Sequence, residues 1–576
     1  MPLTSLNAQQ RNNDLRAMAE HPVDVLVIGG GITGAGIALD AATRGLSTAI
    51  IDAQDWAQGT SSRSSKLVHG GLRYLMQLNF ALVAEALKER DLLMHRLAPH
   101  LVKPIQFMYP LTHKGWERPF VATGIGMYDT LAHVGAKAES LPIQRHLSAA
   151  GVRKTFPAMR DDAAVGAIAY WDGRVDDARL TLDLVRTAQR YGALAANRAA
   201  ARNLIRDDSG RVVGAHIEDL TTGETREVRA KVVISAAGVW TEPVQDLAES
   251  ETGLKVLASK GIHIVVPKER LDGSTGIILQ TEKSVLFIIP WDNYWVIGTT
   301  DTPYERDLAT PTATREDAQY VLDHANKILR DPLTMDDVIG TWAGLRPLVQ
   351  PGTKGEATPS TKISREHSVV EAAPGLFTIA GGKLTTYRVM GKDAVDAALG
   401  KKAAKENPSI TEHVALLGAQ GWSGLMNQSE HLAARACMEQ VVVERLLNRY
   451  GDETLEMIDT IADHPELGEP VPGAEQYLKI EIQRAATHEG ALDLEDVMCR
   501  RTHLNYEQRD GGSAAAPEIA RIMGDVLGWD EAERARQVDL YEQMRRAEHA
   551  ALQENDEDTA QRLREGAGNP YPQQRG

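Results

Sequence analysis

The chain has 576 residues, 43% of them apolar and 25% charged, a globular composition too long for one ordinary domain. Its formal net charge of −16 excludes a general nucleic-acid binder, which needs a basic face, but leaves room for a local basic pocket. The two cysteines, Cys437 and Cys499, stand in no metal or C-x-x-C spacing and read as free thiols of a reducing compartment.

Residues 1–20 are polar, lack the apolar core of a signal peptide and are expected to form a mobile extension. No stretch reads as a transmembrane helix, so the chain is expected in the cytoplasm or attached to the membrane from that side. Val23 to Asp52 then organises everything else. An apolar run ending at Ile28 is followed by Gly29, Gly31 and Gly34 in G-x-G-x-x-G spacing, a small-residue helical stretch, a second apolar run and Asp52. Strand, glycine turn, helix, strand and acid together are a dinucleotide fingerprint in its required context. Gly29 makes the turn, Gly31 lets backbone approach a pyrophosphate, and Gly34 lets helix and strand pack. The helix start offers N–H groups and positive dipole to the phosphates, and Asp52 accepts from a ribose diol.

Gly59 to Tyr74 is rich in short hydroxyl side chains and glycine. Thr60, Ser61, Ser65 and Lys66 suit phosphate or ribityl oxygens. Gly70, Gly71 and Leu72 would let a flat ring lie against backbone. Phe80 to His95 has helical spacing. Trp116, Arg118 and Phe120, near His113 and Lys114, form either a surface turn or a membrane-interface contact. Asp176 or Asp177 is placed to cap a helix from Ala178 to Arg190. Paired strands follow to Asp219. The strand before Trp240 runs through Ala236, Ala237 and Gly238, a second place for close approach to a cofactor. His263 alternates within an apolar strand and reads either as a satisfied core histidine or as a chemical group. Leu376 to Ala380 leads into Gly381, Gly382, Lys383, Leu384 and Thr385 at another helix start. Residues 401–411 read as a linker, 412–560 as a helical domain and 561–576 as a disordered tail.

The fingerprint alone admits NAD or FAD. There is no second good glycine fingerprint for a nicotinamide domain. The distant stretches at Gly70 to Arg73, Ala236 to Gly238 and Gly381 to Thr385 are placed to reach a flavin ring. Val27 to Gly36, Ser64 to Leu75, Asp176 to Leu180, Gly298 to Asp301, Gly344 to Leu348, Gly381 to Arg388 and Cys499 to Thr502 together resemble the aerobic, FAD-dependent glycerol-3-phosphate dehydrogenases. The likeness runs in order from Asp24 into the helical C-terminal region. Many relatives have Glu where this chain has Asp52; either can hold a ribose diol.

The resemblance implies an α/β protein with a Rossmann-type FAD-binding domain of the D-amino-acid-oxidase-like kind (about 21–78, 160–255 and 340–400). A sheet-based substrate domain (about 79–159 and 256–339) is interleaved with it, and an α-helical C-terminal domain follows. It implies FAD as cofactor, with Ala200 among its contacts, and sn-glycerol 3-phosphate as substrate. Electrons would pass to a membrane quinone from an enzyme held peripherally at the inner face of the cell membrane. Arg346 and Arg73 are assigned to the phosphate or substrate hydroxyls. Lys383 is assigned to the developing alkoxide or the reduced flavin's negative charge, and His263 to the base. A glycerol-3-phosphate oxidase making hydrogen peroxide, an amine or amino-acid oxidase, and a non-catalytic flavin-binding partner remain as alternatives. The quinone and the oligomeric state, a homodimer included, are left open.

Overall fold

The computed structural model describes residues 5–72, 74, 79–135, 141–248, 253–282, 285–350 and 366–567. Arg73 therefore lies outside the described residues. Two sheets carry the first 400 residues. The first has eight strands and the central order His367–Ala373, Leu376–Gly381, Thr225–Ser235, Val23–Ile28, Thr48–Ile51, Leu194–Ala196. From Leu376–Gly381 to Leu194–Ala196 the neighbours run parallel. Parallel strands are covered on both faces, which is why Val23–Ile28 and Thr48–Ile51 are continuous apolar runs. On one face the helices Ile32–Thr43, Asp177–Arg190 and Tyr387–Glu406 share a core that includes Ile37, Leu184 and Met390. Gly36 and Gly391 let two of these helices touch: a Cβ on Gly391 would lie 2.7 Å from the Gly36 carbonyl.

The other face is covered in part by the N-terminal residues, and here the expectation of a mobile extension fails. Ala8–Glu20 is a helix capped by Asn7. It buries Leu15 and Met18 against the sheet. Arg11 pairs with Asp219, and Asp14 accepts from the Ala195 backbone. A polar stretch with two apolar residues at i, i+3 carried no strong periodic signal, yet that pair docks together with buried Arg11 and Asp14.

The second sheet has ten strands, mostly antiparallel, and includes Leu67–Val68, Lys103–Leu111, Gly166–Arg174, Lys255–Pro267 and Gly340–Gln350. This corrects the expected domain boundaries. Gly166–Arg174 and Gly340–Gln350, assigned by sequence to the cofactor domain, are hydrogen-bonded into the substrate sheet. Pairing partners distant in sequence decide sheet membership, and local patterning does not report them.

The C-terminal part is helical, with one small hairpin, Pro470–Val471 with Ala474–Leu478. The expected linker is also corrected. The helical segment continues to Glu406 past a non-helical Gly400, and Asn407 and Ser409 bond to Arg44 and Asp40. The start of the expected tail is ordered too: Glu557–Glu565 is a helix whose Gln561 accepts from the Tyr304 hydroxyl. Buried ion pairs weld this domain to the first. Arg179 meets Glu489 in a two-pronged pair, Arg198 meets Asp493 and Asp496, and Asp55 receives both Arg500 and Arg501. Among the described residues no helix is long and apolar enough to cross a membrane. Both cysteines are free.

Candidate functional site

A cleft of about 950 Å³ runs from the fingerprint turn to the substrate sheet, lined by both sheets. At its first end the glycines perform separate tasks. Gly29 has φ +115°, and a Cβ there would stand 2.6 Å from the Ala236 carbonyl oxygen. Gly31 faces the cleft beside Ser61, whose hydroxyl accepts from the Ile32 N–H at 2.8 Å. Gly34 does not line the cleft; a Cβ there would lie 1.8 Å from the Gly29 oxygen, so it packs helix against turn. Gly30, not singled out by the sequence, is needed because Trp56 lies 2.4 Å from its absent Cβ. Asp52 accepts from the N–H groups of Gly30 at 2.6 Å and Gln54 at 2.7 Å. Burial pushes its pKa up to about 6, against the pull of those two donors.

Thr60, Ala200, Ala237 and Gly238 line the middle of the cleft. The Thr60 hydroxyl donates to the Leu345 carbonyl at 2.6 Å and so ties the Ser/Gly stretch to the substrate sheet. Arg198, Asp493 and Glu495 also line it. The helical C-terminal domain thus reaches the cofactor end, which no local motif revealed.

At the far end, Gly382 has φ +80° and packs on Met390, so the chain turns before Lys383, Leu384 and Thr385, which face the cleft. The Thr385 hydroxyl accepts from the His69 N–H at 3.1 Å. The Lys383 ammonium sits 4.0 Å from the centre of the Tyr74 ring, and both His69 and Tyr74 line the cleft. On the opposite wall the register of Lys255–Pro267 against Gly340–Gln350 sets Gly261 opposite Gly344 and His263 opposite Trp342. Gly261 makes space for Arg346: a Cβ there would be 2.5 Å from Arg346 Nη2. The guanidinium donates to Thr299 Oγ1 and the Thr300 carbonyl at 3.1 Å each and lies 3.5 Å from Asp301. A glycine inside an apolar strand marks such a close approach, a signal that was legible in the sequence.

His263 is buried, stacked on Trp342 at 4.9 Å, and its Nε2 is 2.8 Å from the Ser65 hydroxyl. Among the described residues its Nδ1 has no hydrogen-bond partner. Burial, then the charges of Arg346 and Lys66, hold its pKa well below the ordinary histidine value. It is packed like a core histidine yet lies on the cleft wall.

Five assigned cofactor contacts stand behind the wall instead. Besides Gly34, Lys66 turns away from the cleft. Its buried ammonium pairs with Asp177 at 2.6 Å and lies over Trp342 and Tyr506. The motif containing Lys66 was legible, but the partner that takes its charge is 111 residues away. Gly70 is held by Tyr128, Gly71 turns at φ +81° beside Tyr74, and Leu72 packs into the apolar cluster around them. Among the described residues no group of His, Cys, Asp and Glu could hold a metal ion.

The cleft fits an elongated dinucleotide. It has an acid and a helix start at one end, small residues along its length and cations at the other. Residues 24–396 match the FAD dependent oxidoreductase family, and residues 409–534 match the C-terminal domain of alpha-glycerophosphate oxidase. The glycerol-3-phosphate dehydrogenase of Mycobacterium leprae (strain TN) is 46% identical over 566 residues, covering 98% of this chain and 95% of that protein. The mitochondrial glycerol-3-phosphate dehydrogenase of Homo sapiens is 36% identical over 536 residues, covering 90% and 72%. The X-ray structure of the Bacillus halodurans glycerol-3-phosphate dehydrogenase complexed with FAD matches with a TM-score of 0.76 at 29% identity, covering 99% of both chains. The fingerprint, the cleft and these full-length likenesses agree: the chain belongs to the FAD-dependent glycerol-3-phosphate dehydrogenase family, and its cofactor is FAD.

Proposed function

We propose that the protein oxidises sn-glycerol 3-phosphate to dihydroxyacetone phosphate and passes the electrons to a membrane quinone. FAD supplies the hydride acceptor for C2 at its N5 and the route to the quinone. The observation that carries the reading is that Arg346, His263 and Lys383 all line the cofactor cleft. Arg346 is braced by Thr299, Thr300 and Asp301, so its fork is pre-oriented for a phosphomonoester. His263 is neutral at neutral pH, the form that accepts the C2 hydroxyl proton, and Ser65 orients its ring. Lys383 stabilises the developing alkoxide. Arg73 joins the phosphate contacts on the strength of its sequence motif. Asp52 and the turn at Gly29 and Gly31 hold the ADP half of the cofactor.

Anaerobic addition of sn-glycerol 3-phosphate to the yellow holoprotein is expected to bleach the flavin band near about 450 nm. An unbleached band sinks the dehydrogenase reading. Turnover under air that yields peroxide faster than it reduces a soluble quinone would instead favour an oxidase.

The bilayer contact is assigned to the helix Glu117–Gly135 and its flanks. Trp116, Phe120 and Ile143 are each 62% exposed, and the Trp116 and Phe120 rings lie 6.2 Å apart. Exposed Lys114 and Arg145 add positive charge nearby. Aromatic rings beside basic side chains suit the headgroup layer. The holoprotein is expected to float with anionic vesicles, and W116S/F120S to lose most of that binding while keeping quinone-reductase activity in solution. Unchanged flotation of the double variant would place the contact elsewhere.

A further inference from the structure

We propose that Tyr128, braced by Asp172 and Arg90, is a positioning residue for the substrate end of the cleft. The proposal rests on the reading of that cleft as the site of sn-glycerol 3-phosphate oxidation. The turn after Leu67–Val68 carries His69 and Tyr74 into the cleft, with Tyr74 under the Lys383 ammonium. Side-chain hydrogen bonds hold this turn from both sides. The His69 N–H donates to Thr385 from the cleft side, and the Gly70 N–H donates to the Tyr128 hydroxyl at 2.8 Å from behind.

The Tyr128 bond has a fixed direction. A phenol has one proton. Tyr128 spends it on Asp172, whose two oxygens lie 2.9 and 2.8 Å away, and so accepts from Gly70. Arg90 donates to the same carboxylate at 3.0 Å and to the Trp171 carbonyl. Tyr128, Asp172 and Arg90 are 1%, 3% and 1% exposed. The chain Arg90–Asp172–Tyr128–Gly70 thus joins the helices Phe80–Leu92 and Glu117–Gly135, the strand Gly166–Arg174 and the turn through dry, directional bonds. A Cβ on Gly70 would lie 2.8 Å from the Tyr128 ring and 2.7 Å from Leu87, so ring and turn move together. Tyr128 itself does not line the cleft. Its action on substrate passes through the turn that bears Tyr74.

In Tyr128→Phe the Gly70 N–H loses its 2.8 Å acceptor and is left with the Asp172 carboxylate that it also faces, so the turn shifts. The test is steady-state turnover of the holoprotein with sn-glycerol 3-phosphate and a soluble quinone. KM is expected to rise about ten-fold and kcat to fall by a smaller factor, because the turn carries Tyr74 under Lys383, the group assigned to the developing alkoxide. Leu87→Ala controls for lost packing at the same turn and is expected to lower the unfolding temperature without moving KM. If Tyr128→Phe does not fold, Asp172→Asn replaces it; it keeps an oxygen for the phenol and is expected to raise KM by a smaller factor. An unchanged KM in the variant tested, or an equal rise in Leu87→Ala, overturns the inference. Native protein that does not turn over overturns the functional reading and this inference with it. Native turnover with an unmoved variant overturns the positioning role alone.

Discussion

Arg346→Ala is expected to lower kcat/KM for sn-glycerol 3-phosphate by roughly 10²–10³-fold, about 3–4 kcal/mol, the scale of removing one pre-aimed donor from a developing charge. The guanidinium already stands over the bare Gly261 backbone, braced by Thr299, the Thr300 carbonyl and Asp301. Arg346→Lys should recover part of the loss, since a point charge remains but the two-pronged geometry does not. FAD content should stay near native, because the dinucleotide end is built from other elements. Kinetics with a soluble quinone, alongside the flavin absorbance of each purified variant, make the check. A loss smaller than about three-fold would remove Arg346 from the phosphate site.

Asp55→Ala is expected to destabilise the protein by about 3–5 kcal/mol, since removing one partner strands buried charge. Asp55 is fully buried and accepts from Arg500 at 2.6 Å and from both terminal nitrogens of Arg501 at 2.6 and 2.8 Å. Burial alone would raise its pKa, but Arg501 and Arg500 overcome that and hold it well below the usual carboxylate range. Glu489 is held down to about 2 in the same way, by Arg179 against burial. Both pKa values are depressed in the folded state. Their contribution is therefore present above the ordinary carboxylate value and lost as pH falls through the folded one. For Glu489 the loss runs from about 4.5 to about 2. Asp496 acts oppositely: burial pushes it up to about 7, so its protonated form favours the fold and that support fades as pH rises through 7. Urea unfolding should show a lowered midpoint in Asp55→Ala. Because Asp55 lies three residues after Asp52, FAD should also dissociate faster. A loss of unfolding free energy below about 1 kcal/mol would show that solvent reaches the interface.

How much of this was legible varies by element. The fingerprint from Val23 to Asp52 was readable in full because strand, turn and helix are neighbours in sequence. The helix cap was local too: of the two candidates Asp176 and Asp177, Asp176 is the one whose side chain accepts from the Arg179 N–H, and the helix starts at Asp177. The glycine turn at Gly381 and Gly382 was local as well, and it leads into the helix Tyr387–Glu406 as its spacing implied. Lys66 misled because its motif resembles a cofactor loop while its charge is taken by Asp177, and nothing near Lys66 announces that partner. Ala8–Glu20 misled because docking needs two apolar side chains against a waiting sheet, too few to stand out from a polar stretch.

By itself the sequence determined the nucleotide-binding unit and the family. Each of these depends on short-range spacing or on motifs recurring in order along the chain. Tertiary structure alone decided what surrounds them. It put Arg346 on the substrate sheet over Gly261, stacked His263 on Trp342 beside Ser65, and brought Asp493 and Glu495 of the helical domain to the cofactor cleft. It also set Tyr128 behind Gly70. The physical reason is that burial, charge compensation and hydrogen-bond direction depend on groups tens to hundreds of residues apart. Such pairings are settled by strand register and helix docking, and no local pattern carries them.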